Sequence, residues 1–135
     1  VFKQYDGTEV FRVEDNGDFD IGGGSGSTGV TITAAGAITA AADITAYSDR
    51  KLKKNINTLD GKKVLKMRGV SYDRIDTYSK GSGVIAQELQ EIAPELVKDN
   101  DGTLSVAYGN MVGYLIEAIK DQQEQINELK KMINI

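Results

Sequence analysis

A serine and a lysine spaced five residues apart are the side chains of this sequence best suited to chemistry. Ser48 carries a hydroxyl, which is a weak nucleophile and needs a base close by. The sequence contains no histidine, so a lysine must serve as that base, which requires burial or neighbouring cations to lower the pKa of the amine. Lys53 has such neighbours in Arg50, Lys51 and Lys54. A serine followed closely by lysines predicts a peptide bond that is cut beside Ser48.

The spacing alone does not assemble this pair. Side chains five residues apart point in different directions on a helix and lie on opposite faces of a strand. Ser48 and Lys53 would therefore need a turn between them, or a partner chain, to meet. The alternative interpretation of residues 48–56 is a solvated basic run before a helix.

Composition excludes several classes of function. Without cysteine or histidine there are neither disulfides nor the usual zinc ligands. Asp99 to Gly102 lacks the distant glutamate of a calcium loop and is interpreted as a turn, and the glycines from Gly22 to Gly26 lack the Lys-Ser/Thr of a phosphate loop. We predict no metal and no cofactor. No apolar run approaches the roughly 20 residues that span a bilayer, so membrane insertion is not expected.

Charge is unevenly placed along the chain. Residues 1–47 carry two basic and seven acidic groups, a net charge of -5, whereas residues 48–135 carry 14 basic and 13 acidic groups, a net charge of +1. A nucleic-acid binder normally presents a basic face. No nucleic-acid partner is therefore predicted.

Residues 1–46 are predicted to form a β-rich segment. Val1–Tyr5 and Glu9–Val13 are β-prone runs, with turn dipeptides at Asp6-Gly7 and Asn16-Gly17. The stretch Gly22–Ser27 is expected to be flexible. An Ile-Thr-Ala unit then recurs every six residues at positions 32, 38 and 44, a β-helix-like pattern. One such chain has too few large apolar residues to offset its ordering entropy, so it needs neighbouring copies; a disordered linker is the alternative.

Residues 47–135 are predicted to form a small α+β domain, which makes the whole chain α+β. The expected elements are a short helix capped by Asp60, a strand over Val70–Ile75, a polar loop over Thr77–Gly83, a helix over Val84–Ala93 that Pro94 ends, and a hairpin around Asp99–Gly102. Four tyrosines (Tyr47, Tyr72, Tyr108 and Tyr114) are assigned to packing.

The last predicted element is a long helix from about Asn110 to Ile133 with a heptad seam. Isoleucine occupies the a positions, and leucine or glutamine occupies the d positions. One polar residue in such a seam costs stability and can fix register or strand number. Taken alone, this pattern of Ile and Leu favours two strands rather than three, and packing on the chain's own domain is the alternative. The seam residues are Leu115, Ile119, Gln122, Ile126, Leu129 and Ile133.

Four blocks of sequence, in order, carry a resemblance to a known family. The run from Ser48 to Ile56 resembles the S-D-x-x-L-K-x-N-I opening of the self-cleaving intramolecular chaperones (endosialidase-type peptidases) of phage tail spikes, tail fibres and neck appendages. The later blocks are similar to the family's G-x-I-A-Q-E-x and P-E-L-V runs and to its closing strand and long helix. These three later blocks are Gly83–Leu89, Pro94–Val97, and Leu104–Tyr108 together with Leu115–Lys120.

The resemblance implies that residues 1–46 are the β-rich end of a fibre stalk and that residues 47–135 are a self-cleaving chaperone. The chain would form a homotrimer that aligns three stalk strands of its own upstream chain, starts a triple-stranded β fibre, and then cuts itself free. Ser48 would be the nucleophile and Lys53 the general base, with Tyr47, Asp49 and Asn55 shaping the site. The fibre would belong to the virion, and the released chaperone would remain in the host cytoplasm.

Several alternatives stay open. The chain could be a permanent, non-cleaving trimerisation foot of a fibre or adhesin, or residues 1–46 could be a receptor-binding tip. The scissile bond could be Tyr47–Ser48 or Ser48–Asp49, and the lysine could act on its own chain or on a neighbour's.

Overall fold

A computed structural model describes residues 1–22 and 29–134 as an α+β chain. The predicted fold class is thereby confirmed. The chain divides into two compact units, Val1–Lys54 and Asn55–Ile135. The predicted boundary between a stalk end (residues 1–46) and a chaperone (residues 47–135) separates two functions, not two compact units. It stays a prediction.

The first unit is a five-stranded antiparallel meander in which each strand pairs with the next along the chain. Gly7 and Gly17 adopt positive φ angles of 86° and 89° in the first two turns, as the dipeptides Asp6-Gly7 and Asn16-Gly17 predicted. The strands are β1 (Phe2–Lys3), β2 (Glu9–Val13), β3 (Phe19–Ile21), β4 (Val30–Ile32) and β5 (Ile38–Ala40).

One face of this sheet carries a polar ladder. The register aligns Arg12 with Asp20, Asp20 with Thr31, and Thr31 with Thr39. Arg12 Nη2 lies 3.1 Å from Asp20 Oδ2, and the Thr31 hydroxyl donates to Asp20 Oδ1 at 2.5 Å. Asp20 is only 6% exposed, so these two partners satisfy the buried carboxylate.

The opposite face of the sheet is apolar. From β1 to β5 the register pairs apolar residues with one another: Phe2 with Phe11, Val13 with Phe19, Phe19 with Ile32, Ile21 with Val30, and Ile32 with Ile38. The rings of the first pair stack at 4.5 Å. Among the described residues of this unit, none of the apolar side chains is buried. The described part of the first unit therefore has no hydrophobic core of its own.

The six-residue repeat folds in part as a hairpin within one chain. Its first two units provide β4 and β5, which pair antiparallel with Gly36 at φ 86° in the connecting turn. The third unit, around Ile44, lies outside the strands and is 76% exposed. The predicted flexible stretch Gly22–Ser27 lies, apart from Gly22, outside the described residues.

The second unit contains the predicted short helix, two hairpins, a helix and the long terminal helix. Its strands are β6 (Val70–Asp73), β7 (Lys80–Gly83), β8 (Val97–Asn100) and β9 (Thr103–Val106), and its α-helices are α1 (Ala86–Ile92) and α2 (Met111–Met132). Short 3-10 helices cover Gly61–Lys66, Pro94–Leu96 and Tyr108–Asn110.

The core of the second unit forms where α1, the 3-10 helix after it, and α2 meet. Its buried apolar residues are Leu89, Ala93, Leu96 and Tyr114, all at most 3% exposed. Gly61 is buried against α2, so close that a Cβ atom there would lie 2.3 Å from the backbone nitrogen of Ala118. The 3-10 helix Gly61–Lys66 therefore contacts α2 backbone to backbone. Asp60 caps it by accepting a hydrogen bond from the Lys62 amide at 3.0 Å, as predicted.

The polar loop predicted over Thr77–Gly83 is wrong in its second half. Lys80–Gly83 forms β7, paired antiparallel with β6. Glycines argue against a strand by propensity, but here they make room for rings. The position of a Cβ on Gly81 falls 2.6 Å from the ring of Tyr72, and that of a Cβ on Gly83 falls 2.3 Å from the Tyr108 hydroxyl. Tertiary packing thus overrides the local preference.

Helix α2 leaves its heptad positions exposed in the single chain. Leu115, Ile119, Ile126 and Leu129 are 45–63% exposed, and Gln122 is exposed as well. Ile133, the last seam residue, is the C-cap of the helix. The face that packs on the domain carries Tyr114 and Ala118, and at about 100° per residue it lies to one side of the seam. The seam is therefore not the surface with which α2 packs on its own unit.

Candidate functional site

A short turn brings the predicted serine and lysine together. Arg50–Leu52 forms a 3-10 helix, and Asp49 caps it by accepting a hydrogen bond from the Lys51 amide at 2.9 Å. Two backbone bonds close the turn, from the Leu52 amide to the Asp49 carbonyl and from the Lys53 amide to the Arg50 carbonyl. This turn folds the chain back between Ser48 and Lys53, which a continuous α-helix or strand would not do at a spacing of five residues.

Lys53 reaches back over this turn to Ser48. Its Nζ lies 2.5 Å from Ser48 Oγ and 3.0 Å from the Ser48 carbonyl oxygen. The two groups are thus within hydrogen-bonding reach of each other, as a nucleophile and its general base must be. The requirement for a turn, recognised from the sequence, is met within one chain.

The pair is open to water in the single chain. Ser48 and Lys53 are exposed, and the neighbouring Tyr47 is 97% exposed. The only ion pair in this turn that the structure describes joins Lys51 Nζ to Asp49 Oδ2 at 3.6 Å, and exposed pairs of this kind contribute little to stability. The single chain thus brings the serine and the lysine into contact but does not bury them.

Asn55, another predicted site residue, sits where the chain enters the second unit. It adopts a left-handed conformation with φ 54°, and its carbonyl accepts a hydrogen bond from the Asn57 side chain at 2.9 Å. Asparagine is among the few residues that take this conformation readily. Its side chain is exposed, and its backbone conformation is the distinguishing feature here.

A polar contact in the core was not singled out from the sequence. The Tyr114 hydroxyl donates a hydrogen bond to Glu95. Burial, followed by this bond, raises the pKa of Tyr114 to about 12, and the same bond is the main cause of a lowered pKa at Glu95. Lys63 Nζ lies 5.9 Å from the centre of the Tyr114 ring. Partners so far apart in sequence leave no local signal, although a tyrosine in a core helix predicts some partner for its hydroxyl.

Two classes of site can be tested on the described part of the chain. Within it, no group of three or more Asp and Glu side chains is arranged to hold a metal ion. Among the same residues, no helix combines the length and hydrophobicity needed to traverse a bilayer.

Comparison with known proteins gives one family match. Residues 48–98 match the family model described as "Chaperone of endosialidase". The match begins at Ser48, and it covers the capped turn, Lys53, and the elements through the start of β8.

The chain is also similar to long tail fiber proteins of phages. It is 34% identical over 105 residues to long tail fiber protein Gp37 of Salmonella phage S16, which covers 67% of this chain and 14% of that protein. It is 33% identical over 101 residues to Gp37 of Enterobacteria phage K3, covering 64% of this chain and 8% of that protein. For Gp37 of Enterobacteria phage M1 the identity is 31% over 101 residues, covering 65% and 40%. The chain therefore spans less than half the length of each of these relatives.

Proposed function

We propose that this chain is an intramolecular chaperone that cuts itself free, and the match of residues 48–98 to the family model described as "Chaperone of endosialidase" supports the proposal. In this proposal three copies associate through their C-terminal domains and align three upstream fibre stalks for triple-stranded β folding. The chain is then cut once, beside Ser48, and the chaperone leaves.

The observation that carries the proposal is the contact between Lys53 Nζ and Ser48 Oγ at 2.5 Å. Lys53, in its neutral form, takes the hydroxyl proton while Ser48 Oγ attacks a neighbouring peptide carbonyl. If the scissile bond is Tyr47–Ser48, the acyl group moves from the Ser48 nitrogen to Oγ, and the lysine returns the proton to the nitrogen that leaves. Water then hydrolyses the ester. Tyr47, Asp49 and Asn55 shape this site in the proposal.

Association supplies what the single chain lacks. An ammonium group is stable in water, and burial by neighbouring chains would favour the neutral amine that a general base requires. The exposed seam of α2 offers a surface for that association. The number of copies, three, rests on the family, since the Ile and Leu pattern of the seam taken alone favours two.

The order of events follows from folding kinetics. Long-range strand pairing is slow because loop-closure entropy is spent before the contacts form. A compact domain that associates first raises the effective concentration of the stalks attached to it. The similarity to tail fiber proteins supports placing the assembled fibre in the virion, and the released chaperone would stay in the host cytoplasm.

The experiment measures the intact mass of the purified chain, its oligomeric mass, and the mass of any fragments. The wild-type chain should yield two fragments that meet beside Ser48, and their masses identify the bond. Ser48→Ala and Lys53→Met should each leave one intact chain. Lys54→Met removes the adjacent lysine, which makes no described contact with the serine, and it is the matched control that should still be cut.

Two results would contradict the proposal. If the folded, associated wild-type chain keeps a single intact mass, it is a permanent trimerisation foot rather than a self-releasing chaperone. If Lys53→Met is cut as fast as the Lys54→Met control, the lysine is not the base.

A further inference from the structure

We propose that the apolar face of the N-terminal sheet is the surface on which copies of this chain pack against one another, with the Arg12 ladder facing outward. The inference rests on the association proposed above and adds which face of the sheet is shared. We name this surface the Phe face, formed by Phe2, Phe11, Val13, Phe19, Ile21, Val30, Ile32, Ile38 and Ala40.

The Phe face is continuous and uncovered. Strand register places its members side by side across all five strands, and Phe2, Val13, Ile21 and Ile38 remain 42–66% exposed. In an ordinary sheet one face is solvated and the other packs on a core. Here the polar face is already satisfied by its own ladder, and the apolar face has no core beneath it.

The exposed area of the Phe face is too small to hold copies of the chain together without another contact between them. Taking roughly 150–250 Å² for a large side chain, those four residues alone leave on the order of 400 Å² of apolar surface exposed per chain. A contiguous patch of this size is as large as monomers usually carry. It is nevertheless smaller than the roughly 800 Å² per partner of a stable interface. The sheets would therefore stay together only if another part of the chain holds the copies.

Charge decides which face can be shared by identical chains. Residues 1–47 carry a net charge of -5, so copies repel unless their carboxylates point away from the contact. The carboxylates of Asp20 and Glu14 pair with Arg12 on the ladder face. The residues that form the Phe face are apolar. Glu9, two residues from Phe11 on the same strand, pairs with Lys3 in the register, and its carboxylate lies 3.2 Å from Arg12 Nη1. Identical sheets can therefore approach through the Phe face without bringing the Asp20 and Glu14 carboxylates together.

A second copy also fits the stoichiometry better than an unrelated protein does. Each chain that associates through α2 brings one Phe face with it, and the faces are self-complementary because they are identical and apolar. Three such sheets, each turning its Phe face inward, would form a prism around a common axis.

Single cysteines test the inference, because the natural sequence contains none. Ile38→Cys and Thr39→Cys are neighbours on β5 that point to opposite faces of the sheet, and both positions are exposed in the single chain. Each is made in the full chain with Ser48→Ala to prevent cutting. Ala40→Cys, a smaller change on the Phe face, serves as a second variant. The measurements are oligomeric mass, cross-linking by a short bis-maleimide, and the rate of labelling by a monofunctional maleimide.

We expect Ile38→Cys and Ala40→Cys to cross-link between copies and Thr39→Cys to give no cross-linked species. In the associated state the two Phe-face thiols should also be labelled more slowly than the thiol at position 39. If the chain associates but only Thr39→Cys cross-links, the inference is wrong while the proposed association stands. Slow labelling without cross-links between copies means that a different segment covers the face, which also overturns it. A monomeric mass overturns both proposals.

Discussion

Replacing Gly61 with alanine should push α2 away from the 3-10 helix Gly61–Lys66 and destabilise the unit. The added Cβ would lie 2.3 Å from the Ala118 nitrogen, 2.5 Å from the Glu117 carbonyl carbon and 2.8 Å from the Ala118 Cα, whereas ordinary contacts are 3.4–4 Å. All three atoms belong to the α2 backbone, so no side chain can rotate away. The 3-10 helix and α2 must separate by about 1 Å or more, which costs packing on both sides.

The expected loss of stability is at the upper end for overpacked sites, about 3 kcal/mol. For a domain of this size that loss corresponds to a decrease in Tm of roughly 12–24 °C. Gly69→Ala is the matched control, because a Cβ there meets nothing within 4 Å and the residue does not have a positive φ. At such a position alanine is expected to stabilise by roughly 0.4–1 kcal/mol through the unfolded chain.

The assay is urea unfolding followed by circular dichroism at 222 nm, which reports α2. Both variants are made with Ser48→Ala, so that the proposed cutting does not complicate the transition. All chains are compared at one concentration, because the proposed association would contribute to stability. A Gly61→Ala midpoint equal to that of the Gly69→Ala control would refute the reasoning. It would mean that the close contact between the 3-10 helix and α2 does not exist in solution.

Three further outcomes are expected. Because the pKa of Glu95 is lowered from 4.5, its contribution to stability is present above that pH and is lost as the pH falls through the folded-state pKa. Because the pKa of Tyr114 is raised from 10 to about 12, its contribution is present below pH 10 and is lost as the pH rises to about 12. Tyr114→Phe should flatten both parts of the curve of urea midpoint against pH. Asp49→Ala should slow cutting about fivefold by removing a cap worth about 1 kcal/mol, whereas Asp49→Asn, also a good cap, should restore the rate measured by fragment mass. Gln122→Leu should stabilise the associated state and broaden the distribution of oligomers in native mass spectra.

Local signals in the sequence predicted the local elements well. The dipeptides Asp6-Gly7 and Asn16-Gly17 located two turns, Pro94 marked the end of α1, and Asp60 marked the start of a short helix. Each of these residues acts on the backbone within a few positions of itself. The family resemblance found from four sequence blocks is confirmed by the family match over residues 48–98.

Features that depend on distant partners were harder to predict. Lys80–Gly83 forms a strand because the rings of Tyr72 and Tyr108 need the space that glycine leaves, and no local propensity encodes that need. The six-residue repeat was interpreted from its period alone, and the period does not distinguish a β-hairpin from a β-helix. At the candidate site, Ser48, Lys53 and the need for a turn were predicted from the sequence. The hydrogen bond from the Lys51 amide to the Asp49 side chain, which holds the turn, is seen only in the folded chain.

The simple strand order of the N-terminal sheet has a mechanical consequence. Each strand is hydrogen-bonded to its neighbours in sequence, so the first and last strands lie at opposite edges. In antiparallel pairs the bonds run perpendicular to the strands, and tension applied to the two ends of the chain loads them one pair after another rather than all together. Under load, each chain would peel open from an edge at low force, and its resistance to pulling must come from contacts outside its own sheet.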